Sequence, residues 1–170
     1  FLTDVGWGPM DYLLVDMPPG TGDIQMALGR LLPRTELLVV TTPAVAAQKV
    51  AVRVADMARR SYMKVLGVIE NMSTFTCEHG TAYALFGEGG GQTLAGDIGV
   101  PLLGQVPLEP AVSAANDAGQ PLSVAAPESA AGKTFAAIAE RITSELLPPV
   151  DMAGCTARML AGIEEQLGAV

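Results

Sequence analysis

Asp11-Tyr12-Leu13-Leu14-Val15-Asp16-Met17-Pro18-Pro19-Gly20-Thr21-Gly22-Asp23 is the stretch on which the fold turns. Its first six residues are a short apolar run closed by an acid, the pattern of a strand buried on both faces. Prolines and glycines then break the strand, and Asp23 can cap a helix over 23–32 that Pro33 stops. Residues 36–41 read as a second buried strand, and Pro43 opens a helix running to about Met63 from the first-turn position proline favours. Val50, Val54, Met57 and Ser61 are its expected packing face, with Lys49, Arg53, Asp56 and Arg60 on another face. Further strands are expected over 65–70 and 102–106, separated by a long irregular loop over 71–88 and a helix over 92–98. Helices over 111–117 and 129–146 follow, the second packing through Phe135, Ile138, Ala139 and Ile142. Pro148-Pro149 marks a linker before a small amphipathic helix over 156–167. Strands alternating with helices define an α/β fold with a mainly parallel sheet flanked by helices.

Composition narrows the function classes. The chain has 170 residues, 49% hydrophobic and only 16% charged, which excludes an intrinsically disordered protein. No apolar run approaches the roughly 20 residues of a membrane span, and no basic segment precedes an apolar core as in a signal peptide. Two cysteines, Cys77 and Cys155, cannot build a disulfide framework, so a reducing, cytoplasmic setting is expected. Net charge is −8, and the bases are unevenly placed. Residues 65–132 hold no Lys or Arg, whereas Lys49, Arg53, Arg59, Arg60 and Lys64 share one short stretch. That stretch reads first as a solvated helix face and second as a partner-docking face. A nucleic-acid binder needs a broad basic surface, so neither nucleic acid nor membrane is an expected partner.

In parallel sheets ligands bind at the carboxyl ends of the strands, which directs attention to residues 16–23, 41–43, 71–73 and 107–110. A carboxylate at a strand end, as at Asp16, can hold Mg²⁺ directly or through water. Gly20 and Gly22 let the backbone approach a phosphate and offer N–H donors to it. The same residues also suit a plain helix start with a buried capping Asp, and the pattern alone admits both. Asn71, just past a strand, suits the cap of a turn.

The segment 12–23 resembles the signature of Mrp-type iron–sulfur cluster carriers, a branch of the MinD/ParA class of P-loop ATPases. The likeness continues through Val40-Thr41-Thr42-Pro43, Leu66-Gly67-Val68-Ile69-Glu70-Asn71-Met72-Ser73 and Leu85-Phe86-Gly87-Glu88-Gly89-Gly90-Gly91. It resumes in Val100-Pro101-Leu102-Leu103-Gly104-Gln105-Val106-Pro107-Leu108-Glu109-Pro110 and Asp117-Ala118-Gly119-Gln120-Pro121, covering about residues 1–143 in order. The resemblance implies ATP and Mg²⁺ as cofactors. Asp16 would be the catalytic residue as the strand-end Mg²⁺ carboxylate, and Gly20 the switch-loop glycine sensing the γ-phosphate. Asn71 would bond the adenine edge, and Pro107 with its neighbours would close over the base.

Two departures stand out. The lysine-bearing glycine loop that grips phosphates in this class does not occur here. Ala131-Gly132-Lys133-Thr134 lies inside a predicted helix, and Gly87-Glu88-Gly89-Gly90-Gly91 has no lysine. Residues 1–147 are therefore expected to be the C-terminal part of a P-loop ATPase domain, with 148–170 a linker and short helix. The whole protein would be a weak Mg²⁺-dependent ATPase, and this chain alone inactive. In this class the phosphate-loop strand lies between the strand ending at Asp16 and that over 36–41, so a gap in the sheet is expected.

The second departure is the loop Phe75-Thr76-Cys77-Glu78-His79-Gly80-Thr81, where the family usually carries Cys-x-x-Cys. In the family each subunit of a homodimer gives such a pair to one [4Fe–4S] cluster. A Cys77 thiolate and a His79 imidazole from each subunit would also supply four ligands, whereas a decayed site would leave Cys77 an ordinary loop thiol. The resemblance thus implies an ATP-dependent iron–sulfur cluster carrier, a homodimer passing its cluster to apo iron–sulfur proteins and working with cluster scaffold proteins. The alternative is a MinD/ParA-like regulatory ATPase without a cluster, acting by nucleotide-dependent dimerisation and partner recruitment.

Overall fold

The structure, a computed structural model, describes residues 4–18, 22–32 and 34–148. Gly20, Cys155 and the helix expected over 156–167 lie outside the described residues. Helix α1 (Asp23–Leu31) leads to strand β1 (Glu36–Thr41), helix α2 (Val45–Arg60) and strand β2 (Lys64–Thr76). Strand β3 (Ala82–Tyr83), helix α3 (Gly90–Ile98), strand β4 (Leu102–Leu108) and helices α4 (Pro110–Asp117), α5 (Leu122–Ala125) and α6 (Ala130–Arg141) complete it. A π-helical turn, Ile142–Leu146, closes α6, so the helix expected over 129–146 changes its winding near its end. Ile138 of α6 is buried, but Phe135 and Ala139 face outward, because the helix seats on β4 through Ala131 and Ile138 instead.

β2 is the spine of the sheet. It runs parallel to β1 on one side and to β4 on the other. The core beneath it gathers Val39, Val68, Leu94, Ala95 and Ile98 around Ala51 and Ala55 of α2. The buried face of α2 is thus Ala51, Ala55, Met57 and Ala58, whereas Val50, expected inside, is exposed. Small alanines at four-residue spacing let the helix lie closely on the sheet, which turns the packing face one residue from the expected one.

The loop expected over 71–88 is partly ordered. β2 continues to Thr76 and folds back antiparallel, Phe75 opposite Tyr83 and Thr76 opposite Ala82. At Phe75 the strand is paired on both sides, to Tyr83 and to Leu108, so β3 extends the β1 side of the sheet. A turn over 77–80 closes this hairpin, the Gly80 N–H donating to the Cys77 carbonyl at 2.9 Å with Gly80 at φ +81°, a backbone conformation that glycine takes without steric cost.

The strand expected over 11–16 does not form. Tyr12, Leu13, Leu14 and Val15 are all exposed, Leu14 at 86%. An aliphatic run becomes a strand only against a neighbour that satisfies its N–H and C=O groups. Among the described residues β1 pairs only with β2, and its outer edge carries no partner. In place of the expected gap between two strands the described sheet therefore ends at an open edge of β1. The Tyr12 hydroxyl instead donates to the Leu147 carbonyl.

Candidate functional site

The carboxyl end of β1 and the middle of β2 meet the N-terminus of α3, and the reason is the glycine run. A side chain at Gly90 would meet the Pro43 carbonyl oxygen at 2.4 Å and the Gln48 amide at 2.3 Å. One at Gly91 would meet Cβ of Glu70 at 2.6 Å. Gly89, at φ +70°, makes the left-handed turn that starts the helix there. The backbone of α3 is thereby laid against Thr41-Thr42-Pro43 and the end of the buried part of β2.

Glu70 fastens this junction. It is only 1% exposed, and its Oε2 accepts the Gly91 N–H at 2.5 Å while Oε1 accepts from Nε2 of Gln105 at 2.7 Å. A carboxylate taking a helix-N-terminal amide is a charge-assisted bond in the favourable direction of the helix dipole. Beside it opens a cleft of about 260 Å³ lined by Glu70, Ser73, Thr74, Glu88, Gly89 and Gln105. Sequence reading passed over Glu70 and Gln105. The signal was one acid closing the otherwise apolar run Val65-Leu66-Gly67-Val68-Ile69.

The residues expected to hold the base come together. Asn71 lies opposite Val106 in the β2–β4 register, and Pro107 is the next residue of β4. Asn71 Oδ1 accepts the Met72 N–H at 2.9 Å, with Met72 in a left-handed conformation at φ +56°. The carboxamide is thus held by its own chain through oxygen.

The phosphate side is different. Asp16 is exposed and ends no strand, Gly20 is not among the described residues, and Lys133 sits on α6 paired with Glu128 at 3.1 Å. Gly132 N–H donates to the Ser129 hydroxyl at 3.0 Å, so Ala131-Gly132-Lys133-Thr134 is a capped helix start and not a phosphate loop. The described residues bring Asn71 and Pro107 together on paired strands and do not assemble a site for a triphosphate with Mg²⁺.

The hairpin carries Cys77 and His79 at its tip, His79 exposed and Cys77 half-buried. The Cys77 thiol is held below its ordinary pKa, first by the backbone N–H of His79, then by that of Thr81 with help from the Thr81 hydroxyl. Amides pointing at sulfur favour the thiolate, the form that ligates metals. No cluster of three or more His, Cys, Asp or Glu side chains suited to a metal occurs among the described residues. One copy of the tip offers two ligand types, not a closed site.

This arrangement of a parallel sheet, a glycine-led helix and strand-end loops is that of the P-loop NTPases. The chain superposes on the MinD cell-division ATPase of Pyrococcus furiosus with a TM-score of 0.52 at 24% identity, covering 63% of this chain and 41% of that one. It also superposes on the nucleotide-binding protein of Archaeoglobus fulgidus in complex with ADP, with a TM-score of 0.56 at 33% identity over 67% and 47%. Residues 1–143 match the family model of the NUBPL iron-transfer P-loop NTPases of the ParA group, and the chain belongs to that family. The iron–sulfur cluster carrier protein of Mycobacterium tuberculosis is 47% identical over 150 residues, 85% of this chain and 39% of the relative. That of Saccharolobus solfataricus is 45% identical over 144 residues, 84% and 49%, and that of Deinococcus radiodurans 40% over 168 residues, 98% and 45%. The chain spans less than half the length of these curated relatives. No helix of the described residues is long and apolar enough to cross a membrane.

Proposed function

We infer that this chain is the cluster-holding part of an iron–sulfur cluster carrier whose hold on its cargo answers to ATP. The observation that carries the reading is β2 itself. This one strand bears Asn71 near its middle and reaches Thr76, directly before the Cys77 thiol. At about 3.3 Å per residue the six steps from Asn71 to Cys77 span roughly 20 Å. The nucleotide-side residue and the thiol thus share one segment with no domain boundary between them, and the register shift between Asn71 and Phe75, with Met72 left-handed, is the one irregularity on the way.

In this reading Cys77 and His79 of two subunits hold one cluster between two hairpin tips, and the cluster is cargo for apo iron–sulfur proteins received from scaffold proteins. Four ligands of mixed thiolate and imidazole type are chemically sufficient. Cytoplasmic location, homodimerisation and a [4Fe–4S] cargo belong to the same proposal. ATP binding would use Asn71 and Pro107 here, with Asp16 and Gly20 serving Mg²⁺ and the γ-phosphate once a lysine-bearing loop completes the site. Names of relatives support the carrier reading. The single cysteine, in place of a pair, favours the second reading: a regulatory ATPase that dimerises with nucleotide and carries no cluster.

Anaerobic reconstitution separates them. The protein with Cys77 and His79 intact is expected to bind iron and sulfide in equal amounts, with visible charge-transfer absorbance. Cys77→Ser is expected to remove both, and His79→Ala to shift the spectrum. Iron and sulfide content unchanged by Cys77→Ser would assign the protein to the regulatory class.

A further inference from the structure

Helix α2 ends in a Schellman cap: the Met63 N–H donates to the Ala58 carbonyl at 2.9 Å and the Tyr62 N–H to that of Arg59 at 3.2 Å. Met63 and Ala58 share the accompanying apolar contact. The cap places Tyr62 at φ +57°, the position where glycine is the usual residue because a side chain there is strained. Yet the Tyr62 side chain is 96% exposed, and its hydroxyl bonds to no described residue. The ring contributes nothing to packing that would offset its strained backbone. Strain retained without an internal return directs attention outside the chain.

The surroundings of Tyr62 say what lies there. Lys49, Arg53 and Arg60 fall on one exposed stripe of α2, and Lys64 follows the cap. Asp56, the acid within the stripe, is taken by Arg59 at 3.7 Å, and Arg59 also donates to the Ile98 carbonyl at 2.5 Å. None of Lys49, Arg53, Arg60 or Lys64 is ion-paired with a described residue. On a chain of net charge −8 this leaves one local positive face ending in an exposed aromatic. Tyrosine and arginine together are the residue types that carry protein interfaces.

We propose that this face of α2, with Tyr62 at its tip, docks an acidic protein surface. Charge complementarity favours that occupant. Four bases that pair with no described residue, on an acidic molecule, are too few and too local for nucleic acid, which needs an extended basic track. The acidic surface steers approach and sets register, and the Tyr62 ring supplies the desolvated contact. The choice of an iron–sulfur apoprotein as probe rests on the carrier reading; the docking itself does not.

The test measures binding of the full chain, without cluster, to an acidic apo-ferredoxin and, separately, to poly-L-glutamate. Both are expected to bind, with affinity falling as salt rises. The double variant Arg53→Glu/Arg60→Glu is expected to lose about tenfold or more in affinity, through exposed positions that leave the fold intact. Tyr62→Gly separates docking from folding: it should raise the melting temperature by about 2–4 °C as the strained backbone relaxes, and weaken ferredoxin binding. Tyr62→Phe should keep most of the affinity. Binding of poly-L-glutamate without ferredoxin, lost in the charge-reversal variant, would support the docking face while counting against the carrier reading. The proposal is overturned if neither acidic probe binds, if Tyr62→Gly binds ferredoxin as the parent does, or if duplex DNA or phosphatidylserine vesicles bind more tightly than both.

Discussion

Residues 11–16 and β1 are nearly the same kind of sequence and end in opposite states. Tyr12-Leu13-Leu14-Val15 and Leu37-Leu38-Val39-Val40 are both four-residue apolar runs beside acids. Val39 is 3% exposed and hydrogen-bonded along β2, while Leu14 is 86% exposed in a segment with no strand. Hydrophobicity marks a strand, but the neighbour makes one, since backbone groups must be satisfied before burial is worth its full value. The packed region is built around β2, and the exposed one pairs with no strand.

That contrast can be broken from its strong side first. Leu94→Ala, in the core under β2, is expected to cost about 2–5 kcal/mol in urea unfolding. A cost under about 1 kcal/mol would mean the sheet region is as loosely held as residues 11–16. Replacing Glu70 by Leu strands the buried Gly91 N–H and should cost about 1–3 kcal/mol, while the exposed Gln105 amide turns to solvent. Gly91→Ala pushes a methyl into Glu70 and should cost about 1–3 kcal/mol, with the cleft beside it altered.

At the hairpin tip the readout is reactivity. In a Cys155→Ser background, Cys77 should be alkylated at a pH below that needed for the unfolded chain, because His79 and Thr81 amides depress its pKa. The sign follows: a depressed acid favours the fold above its unfolded pKa, and that preference fades as pH falls through the folded value. Coincident alkylation profiles for folded and unfolded chains would remove the amides from the sulfur. The smallest effect belongs to the exposed run, where Leu14→Ser should change stability by no more than about 0.5 kcal/mol. Backbone amides over 11–16 should also exchange with solvent far faster than those of β1.

Much of the sheet was legible because its strands are continuous apolar runs: β1 falls on the expected residues, and the start of β2 and β4 within one or two. The far half of β2 was not, since Asn71-Met72-Ser73-Thr74-Phe75-Thr76 contains few aliphatics. Its alternation was present all the same, with Ser73 buried between exposed Met72 and Thr74. The packing face of α2 was missed because alanine carries little hydrophobic signal yet fits where a helix must lie close. Asn71 and Pro107 were named through the family resemblance, and the structure sets them in neighbouring strands. Asp16 was assigned from a strand that depends on a neighbour the sequence does not supply. The amides around Cys77 arise from a turn whose geometry no side-chain pattern announces.

Among the described residues β1 is paired on one side only, and this has a practical consequence. Its outer row of N–H and C=O groups, flanked by Val40 at 59% exposure, is a ready template for another chain's strand. Kept by itself at high concentration, this polypeptide should self-associate edge to edge and precipitate. Any segment laid in parallel along that edge would act as its solubiliser.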